Sequence, residues 1–294
     1  MPLAPKKLST QGLPPRQAMP KKSLVWLASY PKSGNTWTRI FLANYFLSKN
    51  KPVSINGIQG FALSDAASEL YVKASGGELD PGHPTEHLKY RQKVLAQATS
   101  NGADINFLKT HNMNETVFGV PLAEPSLTRS AIYIARHPYD VAISYARHYG
   151  LENSKACQSI SDSNNTTFGR GDQVKQFLGS WSDHVESWTK PGKFPVHLVK
   201  YEDLKKDPHE YFSRMLRFIG VTPDPARLEQ AVRFSSFEQL QAQEAKEGFV
   251  EASSNSDKFF HSGKSEQWQG VLDDADLQTI RRANKKMMKR LGYW

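Results

Sequence analysis

Ser29-Tyr-Pro-Lys-Ser-Gly-Asn-Thr-Trp37 follows directly on the apolar run Leu24-Val-Trp-Leu-Ala28, and the junction of the two decides the fold. The run reads as a buried strand, and the stretch after it as a glycine-containing, hydroxyl-rich turn that opens a helix. The first backbone N–H groups of a helix lack intrahelical acceptors, and the aligned peptide dipoles leave that end partially positive. A phosphate-like anion is held readily there. Gly34 permits a tight turn or a close backbone approach, Ser33 and Thr36 offer hydroxyl donors, and Lys32 brings a mobile positive charge. The stretch lacks the G-x-x-x-x-G-K-[ST] spacing of the common nucleotide triphosphatase loop, which removes the best support for a kinase or GTPase. An ordinary strand-to-helix turn that happens to carry Lys and Ser is the plain alternative for so short a string.

Working outward, Trp37, Ile40, Phe41, Ala43, Tyr45, Phe46 and Leu47 leave almost no polar face before Asn50, so the helix is expected to be buried. Residues 105–110 (INFLKT), 131–136 (AIYIAR) and 194–203 (FPVHLVKYED) are short apolar runs that end in polar or charged residues. Buried parallel strands with their carboxyl ends at a site look like this. Helices are expected over 138–149 and after Asp207-Pro208, with Asp207 as cap, Pro208 in the first turn and Gly220 as the stop. Alternating strands and helices predict an α/β fold, a mostly parallel sheet covered on both faces, with ligands outside the carboxyl ends of the strands. Residues 51–104, with Gly76-Gly77, Pro81-Gly82 and then a polar helix-like stretch from Thr85 to Ala98, and residues 150–172, rich in Ser, Asn and Gly, break the pattern and are expected to be long loops, disordered or serving as lids.

The chain of 294 residues has enough apolar content, 38%, for one sizeable core. No apolar stretch approaches a membrane span or a secretory leader, and the single Cys157 cannot form an intrachain disulfide, which fits a cytoplasmic protein. A formal charge of +9 raises the possibility of a polyanion-binding protein. Much of it has simpler explanations: residues 1–22 read as a disordered, basic, proline-containing tail, and the basic residues from Arg281 to Arg290 as the solvated face of a last helix. His83 and His87 are four apart beside Asp80 and Glu86, but Pro84 breaks the helical phase, and a loop without metal is expected there.

Three further groups stand at strand ends. Lys109-Thr110-His111 brings an ammonium and an imidazole to the edge of the anion loop, and a histidine there can take a proton from an acceptor hydroxyl. Arg136 is followed eight residues later by the hydroxyl of Ser144, a pair suited to a second phosphate, although Arg136 has Asp140 as a competing partner. Ser262-Gly263-Lys264 is another glycine turn with a cation, near Trp268.

With these on the page, the chain resembles the sulfotransferases that use 3'-phosphoadenosine 5'-phosphosulfate, and more closely their small bacterial members than the animal cytosolic ones. The resemblance covers roughly residues 23–294 as one domain and rests on five ordered blocks: YPKSGNTW, KTH, RHPYDVAISY, YEDLKKDP and GKSEQW. It implies a P-loop-NTPase-like three-layer fold. It also implies that Lys32, Ser33, Gly34, Asn35, Thr36 and Trp37 embrace the 5'-phosphosulfate and the adenine side, and that Arg136 and Ser144 hold the 3'-phosphate. Tyr201, Ser235 and Phe237 match the family's adenine contacts, with Ser262, Gly263 and Lys264 as the C-terminal phosphate block. His111 falls on the catalytic base and Lys109 on a second lysine near the transferred group. No metal is implied, since lysines neutralise the charge. One departure is His261, where the family commonly has Arg. The acceptor is expected to be a hydroxylated small molecule bound by residues 51–104 and 150–172, with Phe61, Tyr71 and Tyr149 as possible pocket walls. A nucleotide-dependent phosphotransferase and a non-catalytic polyanion binder are the competing functions.

Overall fold

A computed structural model describes residues 22–80, 83, 85–167, 169, 172–256, 258–261 and 263–294. The expected tail falls outside these residues except for Lys22, and so does Ser262. Seven strands are present among the described residues: β1 (Leu24–Ser29), β2 (Leu63–Ser64), β3 (Asn106–Thr110), β4 (Thr116–Val117), β5 (Val120–Pro121), β6 (Thr128–Ala135) and β7 (Val196–Lys200). Five form one sheet in the order β2-β3-β1-β6-β7, every pair parallel, and β4 and β5 make a separate hairpin.

Side-chain alternation along the sheet feeds two cores. Trp26, Ala28 and Tyr133 pack on one face against the helices Pro138–Tyr149, Trp181–Thr189 and Asp274–Leu291. Val25, Leu27, Ile132, Ile134 and Val199 pack on the other against the helices Asn35–Leu47, Pro208–Phe218 and Pro225–Phe234. All six residues of β1 are buried, as a strand covered on both sides must be. The α/β three-layer architecture expected from the alternating pattern is therefore the one observed.

Several expected elements differ in extent. The run 194–203 divides: β7 ends at Lys200, and Tyr201–Lys206 is already helical. Pro208 does open the next helix, with the Asp207 carboxylate accepting from Glu210 N at 3.0 Å. Within residues 51–104 the helix-like stretch expected over 85–98 is helical at Glu86–Tyr90 and Arg91–Ala98, while Ile58–Phe61, Ser68–Ser75 and β2 form where a loop was expected. They build a small core of their own around Ala66, Tyr71, Ala74, Leu79 and Val94. Short helices joined by glycine turns give weak periodicity, which is why the pattern reads as loop. Among the described residues no helix is long and apolar enough to cross a membrane.

Candidate active site

Strand register sets the edge of the site. Ala28 pairs with Thr110, Ser29 with Ile134, and Ala135 with Lys200. The chain therefore leaves β1, β3, β6 and β7 at one level, and residues 30–34, Lys109 to His111, Arg136 and Tyr201 converge there.

The loop after β1 is bent by two left-handed residues, Lys32 (φ 70°) and Gly34 (φ 104°). A Cβ at Gly34 would stand 2.7 Å from the Tyr201 ring, so conformation and contact both require glycine. A lysine in this conformation is strained by about 1–3 kcal/mol, a cost that concentrates at ligand sites. Asn35 turns its amide back to the strand, donating to Leu27 O at 2.8 Å and Ser29 Oγ at 3.3 Å, so its side chain shapes the loop rather than lining it. Ser33 is fully buried, and among the described residues its Oγ has no hydrogen-bond partner. An orphaned buried hydroxyl costs about 1–3 kcal/mol, which a bound anion would offset.

Arg136 joins the loop to the C-terminal glycine turn. Its Nη1 donates to Lys32 O and its Nη2 to Lys264 O, both at 3.1 Å. The competing pair with Asp140 is only 4.0 Å apart, and the Asp140 carboxylate instead accepts the backbone N–H groups of Glu266 (2.8 Å) and Gln267 (2.7 Å). Arg136 Nε is buried without a partner among the described residues. Ser144 faces Lys32 across a cavity of about 20 Å³ that Arg147, His148, Lys258 and Phe259 also line.

On the Trp37 flank, rings gather. Trp37 Nε1 donates to Ser235 O at 2.8 Å, its ring stands 5.8 Å from that of Tyr201, and Tyr201 OH donates to Gly263 O at 3.3 Å. The Arg136 guanidinium lies 4.5 Å from the Tyr201 ring centroid, and a Cβ at Gly263 would meet Phe237 at 2.6 Å. Residues scattered from 37 to 263 in sequence thus share one wall.

His111 is held with one defined tautomer. Nδ1 lies 2.8 Å from Ser29 O, and a carbonyl only accepts, so Nδ1 carries the proton and Nε2 the lone pair. Burial, then the Lys109 ammonium, holds this imidazole well below its ordinary value, so it is neutral at pH 7. Its backbone is fixed too: His111 N donates to Gln176 Oε1 at 3.2 Å, and His184 Nε2 donates to His111 O at 3.0 Å. The flanking Thr110 and Asn112 both donate to Asp65 Oδ2, at 2.8 and 3.0 Å, and that carboxylate is buried against Arg91 Nη2 at 2.6 Å.

The cations are crowded. Burial, then Lys109, lowers Lys32 to about 7. Lys32 Nζ sits 4.1 Å over the Phe259 ring and 3.5 Å from His148 Nδ1. Burial lowers Lys109 as well, against the attraction of Glu251, whose Oε1 is 3.6 Å from its Nζ. Thr36 Oγ1 also reaches Glu251, at 3.1 Å, beside the buried Arg39. Arg39 and Arg147 escape a local reading, yet each stands three residues beyond a predicted site hydroxyl, Thr36 or Ser144, on the same helix face. Glu251 carries no local sign at all.

This edge can be compared with known proteins. A model of the sulfotransferase domain family matches residues 22–292, nearly the whole chain. The chain belongs to the sulfotransferase domain family. Among curated relatives, bovine sulfotransferase 1A1 is 32% identical over 73% of this sulfotransferase-family chain and 64% of its own length. Flavonol 3-sulfotransferase of Flaveria bidentis is 25% identical over 91% of this chain and 81% of its own. The alignment thus spans just under two thirds of the bovine protein. Among solved structures, retinol dehydratase in complex with androsterone and inactive cofactor PAP superposes with a TM-score of 0.60 at 17% identity, covering 92% of this chain and 82% of its own. Mouse SULT7A1 complexed with PAP gives 0.57 at 20%, covering 91% and 85%. These likenesses establish the fold, and the relatives named are animal and plant proteins rather than bacterial ones.

Some expected residues are engaged elsewhere. Tyr71 is buried, its OH donating to Asp65 O at 2.8 Å and accepting from Arg91, while half-buried Phe61 packs on Phe46 and Phe107. Tyr149 lies against Tyr145, with ring centroids 4.3 Å apart. His83 accepts the backbone N–H of Glu86, while His87 is buried against Tyr71, so the two histidines serve local structure.

Proposed function

We propose that this chain transfers the sulfuryl group of 3'-phosphoadenosine 5'-phosphosulfate to a hydroxyl of a small-molecule acceptor. The observation that carries the proposal is His111: a neutral imidazole whose Nδ1–H is tied to Ser29 O, beside Lys109 and the anion loop. The loop N–H groups and Lys32 would hold the 5'-phosphosulfate, Arg136 and Ser144 the 3'-phosphate, and the Trp37, Tyr201, Ser235 and Phe237 wall the adenine. PAP in the related structures supports the same donor here. The Ser33 hydroxyl and Arg136 Nε, both without partners among the described residues, and the glycine at Tyr201 fit such a ligand. Arg147 and Lys258, lining the cavity with Ser144, bring cations near the place where His261 replaces the usual Arg.

The acceptor hydroxyl would attack sulfur in line, forming the new S–O bond as the bridging S–O bond to the bisphosphate breaks, and its proton would pass to His111 Nε2. The bridging electrons leave on the 5'-phosphate, where Lys32 and the loop stabilise them, and Lys109 polarises the sulfuryl oxygens. Residues 51–104 and 150–172 are the segments we assign to acceptor binding. A single buried thiol, Cys157, is compatible with the cytoplasm we infer as its compartment.

The direct test incubates the protein with sulfur-labelled donor and a panel of phenols, alcohols and sugars, with γ-labelled ATP and Mg²⁺ in parallel. Label is expected on a hydroxylated acceptor from the sulfur donor alone. Transfer from ATP alone would move the protein to the phosphotransferases, and polyanion binding without turnover would make it a binding protein. In addition, 3',5'-bisphosphoadenosine should raise thermal stability by mass action where 5'-AMP does not.

Lys32 provides an independent check. A lysine lowered to about 7 is mostly neutral at pH 8 in the free protein, and a bound polyanion restores its ordinary, higher value. The complex then holds more protons than the free protein, so bisphosphate binding takes up roughly one proton at pH 8 and weakens as pH rises above 7. Calorimetry in buffers of different ionisation enthalpy measures the uptake. A heat independent of buffer would contradict it.

A further inference from the structure

Glu251 enters the site from the segment between two helices, Phe237–Glu247 and Asp274–Leu291. Its carboxylate accepts from Thr36 Oγ1 at 3.1 Å and from Arg39 Nη2 at 2.8 and 2.6 Å, and faces Lys109 Nζ at 3.6 Å. Burial alone would raise its pKa, but Lys109 and Arg39 outweigh this and hold it well below the ordinary carboxylate value. Lys32 feels the same negative charge amid Lys109, Arg136 and Arg147. One carboxylate is thus the counter-ion of a crowded cationic edge, on the hydroxyl of the anion loop itself.

The segment is fastened on either side of Glu251. Val250 N donates to Asn56 Oδ1 at 2.9 Å, Ser253 Oγ to His148 O at 2.6 Å, and Phe259, further on, covers Lys32. Beside Lys32 and Ser144 a small cavity of about 20 Å³ remains. The donors of Thr36, Arg39 and Lys109 are already engaged by the Glu251 carboxylate, so an anion that uses them must displace it. Arg39, 1% exposed, is costly to bury without an anion, so it needs either Glu251 or something that replaces it.

We propose that Glu251 is a built-in counter-anion of the transfer site, holding in the free protein the place that a sulfuryl or phosphoryl group of the donor takes in the complex, and that Arg39 is shared between the two. This rests on the donor reading of the anion loop. Glu251 and a tetrahedral anion compete for Thr36, Arg39 and Lys109, so donor affinity is reported net of the carboxylate's release. The carboxylate sets a threshold that a weak monoanion fails to cross and a polyanion exceeds.

The test compares wild type, Glu251→Gln and Glu251→Asp by calorimetry, using inorganic pyrophosphate and 3',5'-bisphosphoadenosine as separate probes, with thermal denaturation to establish folding. Losing one charge-assisted contact set corresponds to about tenfold tighter anion binding in Glu251→Gln. Glu251→Asp, which keeps the charge but shortens the reach by one methylene, should fall between. A folded Glu251→Gln whose affinity for both probes is unchanged or weaker overturns the proposal and makes Glu251–Arg39 a fixed structural pair. If Glu251→Gln fails to fold, Glu251→Asp decides alone: affinity no tighter than wild type overturns the proposal. Tighter pyrophosphate binding without any bisphosphate binding would leave the counter-anion in place and refute the donor reading instead. Absence of binding by either probe to any of the proteins overturns both.

Discussion

Replacing His111 with alanine is expected to lower kcat by about 10²–10⁴-fold, the ordinary worth of a positioned general base, while bisphosphate affinity changes little. The separation follows from geometry. The Nδ1 proton is committed to Ser29 O, so Nε2 is the nitrogen that can take an acceptor proton, and no donor-holding role has been assigned to it. A pH profile carries the sign. The protonated imidazole is inactive as a base, and burial with Lys109 nearby holds its pKa well below 6.5. Activity should therefore stay flat as pH falls through 6.5 and decline only at lower pH. Measurement of kcat for wild type and His111→Ala between pH 5 and 8 tests both statements. Equal kcat in the two proteins would remove His111 as the base, and a wild-type midpoint at or above 6.5 would show that it is more exposed to solvent than its setting implies.

How much of this site was readable in the sequence follows from how local its causes are. The anion loop is legible because one covalent stretch, Ser29 to Trp37, contains strand end, turn glycine and helix start. Arg136 and the helix Pro138–Tyr149 are legible for the same reason, since a strand end, a proline and a helix follow in order. The division of residues 194–203 was not, because Tyr201 and Asp203 suit a strand end and a helix start equally well. Asp65 and Glu251 escaped because their partners lie far away in sequence, at Arg91, Thr110 and Asn112 or at Thr36, Arg39 and Lys109. A carboxylate in a segment without clear periodicity is ordinarily a surface residue, and only tertiary packing makes these two the counter-ions of buried cations. Family resemblance adds roles to positions, but it does not show that Asn35 turns inward or that Arg136 fastens the loop to the glycine turn.

Breaking the Asp65–Arg91 pair should produce the largest loss of stability of any single change at the site's edge. Both side chains are buried, at 0% and 1% exposure, and Arg91 also donates to Leu122 O and Tyr71 OH, at 2.8 and 2.9 Å. Arg91→Met keeps most of the volume but strands the Asp65 carboxylate without a counter-ion, which costs about 3–5 kcal/mol. Asp65→Asn should cost less, since Arg91 retains neutral acceptors, and the double variant should cost less than the sum of the two singles because no charge is then left alone. Denaturant unfolding of the four proteins gives the cycle. Catalysis distinguishes positioning from mere stability. Asp65 Oδ2 is the common acceptor of Thr110 and Asn112, and in folded Asp65→Asn the amide oxygen takes over both contacts without the charge that strengthens them, so His111 between them is held less firmly. A shift near 1 Å at a reacting group costs up to about 10²-fold, so kcat should fall while bisphosphate affinity holds. If the folded Asp65→Asn protein keeps wild-type kcat, the pair stabilises the fold without aligning the base.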